Sequence, residues 1–408
     1  VDPVKFSVVP FSSSVNVAYT SGSGVPQVDR YTAWIDGQGL SPVHSLELDW
    51  SRYAGAHKVG YQWLDANNNP LTRFTLFGAM QVQTCTQTKR GSCVSYSSSS
   101  YASWRGCVEA RPYPYNLDDT PPSTGNPATL FVPMFAPDEY DSSYSYNNYW
   151  PDPGSSTETT KQKQTDVTKY FVQRASSSGY RGTGPNLSCE SAPLIPLTMD
   201  QTRIDNAIDA MVANGATNVT EGLAWGMRTL SSTEPFTEGR AETEKGNDKI
   251  IVLVTDGSNT YYTPSSLGAT DYANNKSIYA AEGYTADVDP GQSKSRIFTG
   301  TSASSTNYSN SNYTDAMEQQ TQTVCSNARK INQATGRETI QILVIALDLD
   351  QTKDASMIQA LSNCASPTPA GIHLSNGSSK LFWNINSSGA QQVFDEIAQL
   401  LSNLRITS

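Results

Sequence analysis

The chain has 408 residues, of which 37% are hydrophobic and only 16% are charged, and its formal net charge is −10. This length allows two domains, or one domain with a large insertion. The negative charge argues against nucleic acid or an anionic membrane as the main partner, because both attract clustered Lys and Arg, and it favours cations such as calcium.

The first 50 residues predict the start of a sheet. Residues 4–11 are apolar and β-prone, and residues 14–19 alternate after a serine turn, so we expect a hairpin. Residues 1–20 lack the basic head and apolar stretch of a signal peptide, and no run of about 18 apolar residues follows. Because domains seldom begin within a sheet, we expect an upstream segment or another chain to complete it.

Residues 51–190 are rich in Tyr, Ser, Pro and Asn, which is typical of an irregular insertion stapled by disulfides. Within this insertion, residues 130–135 predict one strand, which Pro133 limits to an edge or an end.

Residues 191–408 are more regular. Residues 204–212 and 221–230 have apolar positions at helical spacing, and two further helices are predicted at 315–333 and 391–404. The continuous apolar runs 249–255 and 340–347 predict strands buried on both faces. Strands that alternate with helices indicate an α/β fold with a doubly wound, mostly parallel sheet. Residues 258–314 are too long for a plain connection and predict a surface insertion.

The chain contains six cysteines, no C-x-x-C pair and three histidines. An even number of cysteines in a Ser- and Asn-rich chain favours disulfides formed in an oxidising compartment over buried thiols or a zinc site.

Two segments could present oxygen ligands where the parallel strands end, which is where such sheets bind ligands. They are residues 215–218, before a helix, and residues 255–258, after a strand. Thr217 and Asp256 are hard oxygen ligands suited to Mg²⁺ or Ca²⁺. In the alternative interpretation Thr217 caps the helix and Asp256 starts a turn. A second acidic group, Asp348, Asp350 and Asp354, fits a solvated loop better than a calcium site.

The sequence carries no motif of an enzyme. It has no G-x-S-x-G elbow, no H-E-x-x-H and no phosphate-binding glycine loop with lysine. His44 and His57 are expected to have packing or surface roles. The sequence therefore predicts a protein without catalytic residues.

Several stretches resemble one known family, the TadG-like proteins of tight-adherence pili, which contain a von Willebrand A-type domain. The specific stretches are VKFSVVPFSSSVNV at 4–17, WRGCVEARP at 104–112 and FVPMFAPDE at 131–139. Residues 215–226 and IVLVTDG at 251–257 are similar to the second and third motifs of that domain's metal-ion-dependent adhesion site. The similarity touches most of the chain.

The resemblance implies that residues 1–50 begin a von Willebrand A-like domain, that 51–190 interrupt it, and that 191–408 complete it. It implies that Thr217 is a direct ligand of Mg²⁺ or Ca²⁺ and that Asp256 acts through water. The site would be incomplete, because the first motif, Asp-x-Ser-x-Ser, would precede Val1. Residues 141–145 have that spacing but follow no buried strand.

The resemblance also implies a disulfide between Cys325 and Cys364. Cys85, Cys93, Cys107 and Cys189 then pair among themselves in one of three ways.

The implied function is adhesion or pilus assembly in a bacterium, outside the cytoplasm, with protein partners at the cell surface or pilus and a membrane contact only through an N-terminal anchor. A partner's acidic group would complete the coordination of the cation. In the rival interpretation, the chain is a structural subunit whose sheet is completed by its own upstream segment or by another chain.

Overall fold

The computed structural model describes residues 4–20, 26–154, 157–175, 182–244, 246–333 and 335–407. In them the chain is a mixed α/β protein with separate small sheets. The strands are β1 Phe6–Val8, β2 His57–Val59, β3 Gln62–Leu64, β4 Pro70–Leu71, β5 Gln81–Lys89, β6 Ser92–Ser100, β7 Arg174–Ala175, β8 Ile195–Thr198, β9 Ile250–Thr255, β10 Gln341–Leu347 and β11 Phe382–Ile385. The α-helices are α1 Arg73–Ala79, α2 Thr160–Thr165, α3 Gln201–Asp209, α4 Val219–Leu230, α5 Asn310–Ala328, α6 Ala355–Cys364 and α7 Ala390–Thr407.

The predicted parallel strands are present. β9, β10 and β11 form a parallel sheet in the order β11-β10-β9. Successive side chains of β10 point to opposite faces, and both faces are covered. Val344 packs in a cluster with residues of α4, α5 and α6, whereas Ile345 packs with residues of α7. Both side chains are fully buried.

The parallel sheet is smaller than expected, with three strands, and most of the other strand pairs are antiparallel. β1 pairs antiparallel with β8, β2 with β3, β3 with β4, and β5 with β6, each outside the parallel sheet. The prediction that β9 is covered on both faces is wrong, since Val252 and Val254 are each 38% exposed. β9 is an edge strand whose other face packs against α4, while on the open face Ile250 is partly buried against the cluster that contains α7.

The predicted N-terminal hairpin is reduced to a single antiparallel bridge between Phe11 and Val15. β1 pairs with β8, about 190 residues away in the chain, and residues 14–19 form only isolated bridges. The reason is burial: Val15 and Val17 are fully buried in a cluster with Trp34 and Phe131. Val9 and Phe11 of the first segment pack against the same cluster, so the two segments share a core without extending a ladder between them.

α4 and α7 lie close to their predicted positions, whereas α5 begins and ends five residues before the predicted 315–333, and α3 ends three residues earlier than predicted. It ends at Asp209, and Ala207 is its buried residue. Ile208, Met211 and Val212 are 53%, 43% and 77% exposed. The main contacts of α3 are with β1 and β8, which leave much of its apolar face exposed.

Residues 51–190 contain more order than their composition indicates. β5 and β6 form a long hairpin with mostly exposed side chains. The strand predicted at 130–135 is absent. The segment is buried but makes only single bridges, from Phe131 to Ile35 and from Pro133 to Val108. Pro133 has no N–H to extend a ladder, and its carbonyl instead accepts from Arg73 Nη1 at 3.1 Å.

A buried ionic network joins this region to residues 258–314. Glu109 accepts hydrogen bonds from Arg73 Nη1, from Arg296 Nη1 at 2.6 Å and from the Tyr279 hydroxyl. The Arg73 and Glu109 side chains are completely buried and that of Arg296 is 1% exposed. Residues 258–314 are therefore not confined to the surface as predicted, because they contribute charged and aromatic side chains to the interior.

All six cysteines are paired. The predicted disulfide Cys325–Cys364 is confirmed and ties α5 to the end of α6. The other four cysteines, whose pairing the sequence left open, form Cys85–Cys93, across the β5–β6 hairpin, and Cys107–Cys189. Three disulfides are typical of an oxidising, extracytoplasmic compartment. In the described parts of the chain, no helix combines the length and the apolar character needed to span a membrane.

Stability should depend on pH through Glu282, which is 2% exposed. Burial, reinforced by the Glu221 carboxyl group, raises the pKa of Glu282 to about 8 despite nearby Arg296. Folded protein thus keeps a proton that the unfolded chain loses near pH 4.5, so this group destabilises the fold as pH rises from about 4.5 to 8. Glu282→Gln should therefore be more stable than the wild type by roughly 2–4 kcal/mol at pH 8 and nearly equal near pH 4.

Urea unfolding of both proteins across this pH range measures the difference. Other titrating groups are shared by the two proteins and cancel. Parallel stability curves would show that Glu282 is ionised in the folded state.

Candidate functional site

The two residues predicted as metal ligands lie in adjoining loops. Asp256 directly follows β9, at the carboxyl end of the parallel sheet, and Thr217 precedes α4. The N–H of Thr260 donates to the Thr217 carbonyl at 2.8 Å. Gly257 faces the Thr217 side chain, since a Cβ on Gly257 would lie 3.9 Å from Thr217 Oγ1. The loop that contains Asp256 therefore packs directly on Thr217.

Thr217 does not cap the helix, contrary to the alternative interpretation. The N-cap is Asn218, whose Oδ1 accepts from the N–H of Glu221 at 3.0 Å. A second amide, Asn259 Oδ1, accepts from the N–H of Val219 at 2.9 Å. The first turn of α4 is thus fixed by two asparagines, which leaves the Thr217 hydroxyl outside the helix.

A third segment, which was not predicted as part of the site, lies against the 215–218 loop. The Ser13 hydroxyl accepts from the N–H of Ala216 at 2.9 Å, and the Ser12 carbonyl accepts from the N–H of Asn218 at 2.8 Å. The sequence feature that could have pointed to this segment is the run of three serines that follows the predicted strand at 4–11. Their burial is what distinguishes them from an ordinary turn, and burial was not readable from the sequence.

Three polar atoms around these loops are buried without a hydrogen-bond partner. They are Ser12 Oγ, Asn218 Nδ2 and Glu190 Oε2. A Cβ on Gly215 would lie 3.0 Å from Glu190 Oε2, which places this carboxyl group beside the 215–218 loop. Burial raises the pKa of Glu190. Buried polar atoms in folded proteins nearly always have partners, so these three are candidates to contact a ligand.

In chemical type, the site suits a hard divalent cation, because Thr217, Ser12, Glu190 and Asp256 all supply oxygen. The number of ligand groups, however, is too small for a complete metal site. The residues that the structure describes contain no group of three or more His, Cys, Asp or Glu side chains placed to hold a metal. Thr217 and Asp256 would therefore supply only part of the coordination sphere of a cation.

The other acidic cluster forms its own hydrogen bonds. Asp350 Oδ1 accepts from the N–H groups of Thr352 and Lys353, each at 2.9 Å, and Asp354 Oδ2 accepts from the N–H of Asp350 at 2.8 Å. These hydrogen bonds hold the pKa of Asp350 below its usual value. Asp348 starts the same loop in a left-handed conformation, with φ of 56°. The geometry is that of a solvent-exposed turn.

Residues 141–145, which have the spacing of the first metal motif, are also engaged locally. Asp141 and Asp152 exchange backbone-to-carboxylate hydrogen bonds at 2.9 and 3.0 Å. The Ser145 hydroxyl donates to the Tyr140 carbonyl at 2.6 Å.

His44 has a packing role. Its Nδ1 lies 2.9 Å from Asp36 Oδ2, and its Nε2 accepts from the N–H of Arg73 at 3.0 Å. Burial opposes ionisation of Asp36, but His44 and two backbone amides hold the pKa of Asp36 below its usual value. With both ring nitrogens engaged, this histidine has no free nitrogen to act as a base.

Comparison of the chain with known proteins finds no matching family model, curated protein or solved structure.

Proposed function

We propose that this chain is a non-enzymatic protein of the bacterial cell envelope, similar to the TadG-like proteins, that binds other proteins in adhesion or Tad-type pilus assembly through a von Willebrand A-like fold. The observation that carries this proposal is the convergence of Ser12 and Ser13, Thr217 and the loop after Asp256 at the carboxyl edge of the parallel sheet. The three disulfides support a location outside the cytoplasm.

The chemistry of the site suits recognition of an acidic group. Mg²⁺ or Ca²⁺, when bound by Thr217 and Asp256, would supply positive charge toward a partner's carboxylate. The unpartnered Nδ2 of Asn218 is a hydrogen-bond donor that a carboxylate oxygen can accept. Ser12 and Glu190 lie against the same loops and supply further oxygen atoms.

The test compares two aspartates at opposite ends of one strand. Asp256 follows β9 at its carboxyl end, and the exposed Asp248 precedes β9 at its amino end. We expect Asp256→Ala to reduce surface attachment or piliation of the source bacterium about tenfold or more, and Asp248→Ala to leave it unchanged. Equal attachment of the wild-type and Asp256→Ala strains would refute the proposal.

Calorimetry on the isolated chain gives a second readout of the same site. With part of the coordination sphere present, we expect Mg²⁺ and Ca²⁺ to bind with dissociation constants weaker than about 1 mM. Tight binding that Asp256→Ala abolishes would mean that residues of this chain complete the site.

A further inference from the structure

Lys169 and Asp138 form a charged pair inside the region of residues 51–190. Lys169 Nζ lies 2.9 Å from Asp138 Oδ2 and also donates to the Asp138 carbonyl at 3.1 Å. The side chain of Lys169 is 1% exposed and that of Asp138 is completely buried. Lysine is almost never fully buried, because burial removes the water that hydrates its ammonium group. This pair therefore calls for an explanation beyond surface solubility.

Aromatic residues contact the pair on several sides. The Tyr170 hydroxyl accepts from the N–H of Asp138 at 2.8 Å, and Trp150 Nε1 donates to the Lys169 carbonyl at 2.8 Å. Tyr170, Trp150 and Tyr149 are each at most 1% exposed and belong to one buried cluster. These residues exclude water, so the amine and the acid meet in a dry environment.

The second oxygen of the Asp138 carboxyl group faces two backbone donors. The N–H groups of Tyr149 and Trp150 both donate to Asp138 Oδ1 at 2.6 Å. Two N–H groups that converge on one oxygen are the arrangement that stabilises negative charge in the tetrahedral intermediate of acyl transfer. The carboxyl carbon of Asp138 thus has an amine beside one oxygen and a preformed oxyanion site at the other.

A second carboxylate is placed to take up a proton. Asp152 Oδ1 lies 3.7 Å from Lys169 Nζ and is buried without a hydrogen-bond partner. Burial raises the pKa of Asp138 to about 7, although Lys169 lowers it. Burial also opposes the charge on Lys169, but the Asp138 carboxylate outweighs burial and raises the pKa of Lys169. The ammonium group must therefore pass a proton to a carboxylate before its nitrogen can attack, and two carboxylates are within reach.

We propose that Lys169 and Asp138 condense into an amide, so that an isopeptide bond cross-links the folded chain. The bond joins two residues that are 31 positions apart. In water, an ionised acid and an ammonium ion resist condensation because both are hydrated, whereas this buried pair lacks that hydration. The inference is independent of the function proposed above.

The condensation balances without any other reactant. Lys169 first passes a proton to Asp152 or to Asp138 Oδ2, and the freed lone pair of Nζ then attacks the carboxyl carbon. The negative charge develops on Oδ1, where the two backbone N–H groups hold it. The bond between the carbon and Oδ2 breaks, and Oδ2 leaves as water with two of the three ammonium protons. The third proton stays on the amide nitrogen.

Mass spectrometry of the full chain, secreted into an oxidising compartment and then reduced, tests the bond. We expect a mass below that of the sequence by one water molecule. Trypsin cannot cleave after a lysine whose side chain is an amide. Digestion should therefore recover residues 164–174 uncut and joined through Lys169 to the peptide that contains Asp138.

Matched variants identify the two partners. Lys169→Met cannot form the amide and should have the full mass of its sequence. Asp138→Asn should form the same amide by releasing ammonia, so its linked product should have the same mass as linked wild type. The control is Lys161→Met, because Lys161 is 38% exposed and lies 3.9 Å from Asp287; this variant should keep the loss of water.

Two results would overturn the proposal. The first is a reduced wild-type chain with the full mass of its sequence, which would make the pair an ordinary buried ion pair. The second is a loss of water that persists in Lys169→Met, which would locate the loss elsewhere in the chain. Circular dichroism checks that the variants fold. If Lys169→Met does not fold, the wild-type mass and the branched tryptic peptide decide the question.

Discussion

Replacing Glu109 with glutamine is expected to lower the free energy of unfolding by about 3–5 kcal/mol. Glu109 accepts from two buried guanidinium groups, those of Arg73 and Arg296, and from the Tyr279 hydroxyl. Glutamine keeps the volume but removes the negative charge, which leaves two buried cations undercompensated. Urea unfolding followed by circular dichroism measures the loss.

The control is Glu244→Gln. Glu244 pairs with Arg240 at 3.2 Å, but both side chains are at least 32% exposed, and such pairs contribute less than about 1 kcal/mol. If the two variants lose similar stability, the buried network is no stronger than a surface ion pair.

Removing the Cys107–Cys189 disulfide is the second change with a large expected effect. This bridge closes a loop of 82 residues, whereas Cys85–Cys93 closes one of 8. Because a longer loop restricts the unfolded chain more, the double serine variant at 107 and 189 should lose about 4–5 kcal/mol, against about 2–3 kcal/mol at 85 and 93.

Denaturant unfolding of both double variants under oxidising conditions gives the comparison. Thiol labelling of the denatured, non-reduced wild type checks the starting point and should detect no free cysteine. A larger loss from the hairpin bridge than from Cys107–Cys189 would contradict loop closure as the dominant effect.

The elements that the sequence predicted well are those with a local period. β10 is a continuous apolar run because both of its faces are covered, and α4 repeats apolar residues at helical spacing. β9 has the same apolar character as β10 yet is open on one face. The pattern alone cannot distinguish them, since coverage depends on which other elements lie beside the strand.

The packing of residues 51–190 could not be predicted, because it depends on contacts between residues far apart in sequence. Arg73 and Glu109 are 36 residues apart, and Arg296 lies 187 residues from Glu109. Charged residues spaced in this way have no periodicity that marks them as buried. Composition therefore indicated an irregular insertion where the structure has a buried interior.

Thr217 and Asp256 were predicted as site residues because parallel sheets bind ligands at the carboxyl ends of their strands. The structure places the loops of these two residues in contact. Their role in metal binding stays a prediction. Ser12 and Glu190 were missed, and Asn218 was not singled out within the predicted segment 215–218, because unpartnered buried atoms can be recognised only from three-dimensional packing.

The order of the disulfides has a consequence for how the protein matures. Each cysteine pairs with the next cysteine along the chain, 85 with 93, 107 with 189 and 325 with 364. When the chain enters an oxidising compartment from its N-terminus, the two cysteines of each disulfide appear one after the other. No other cysteine enters between the two partners of a disulfide. Oxidation in order of emergence thus produces the native set directly, so secretion of this protein should require a thiol oxidase but no disulfide isomerase.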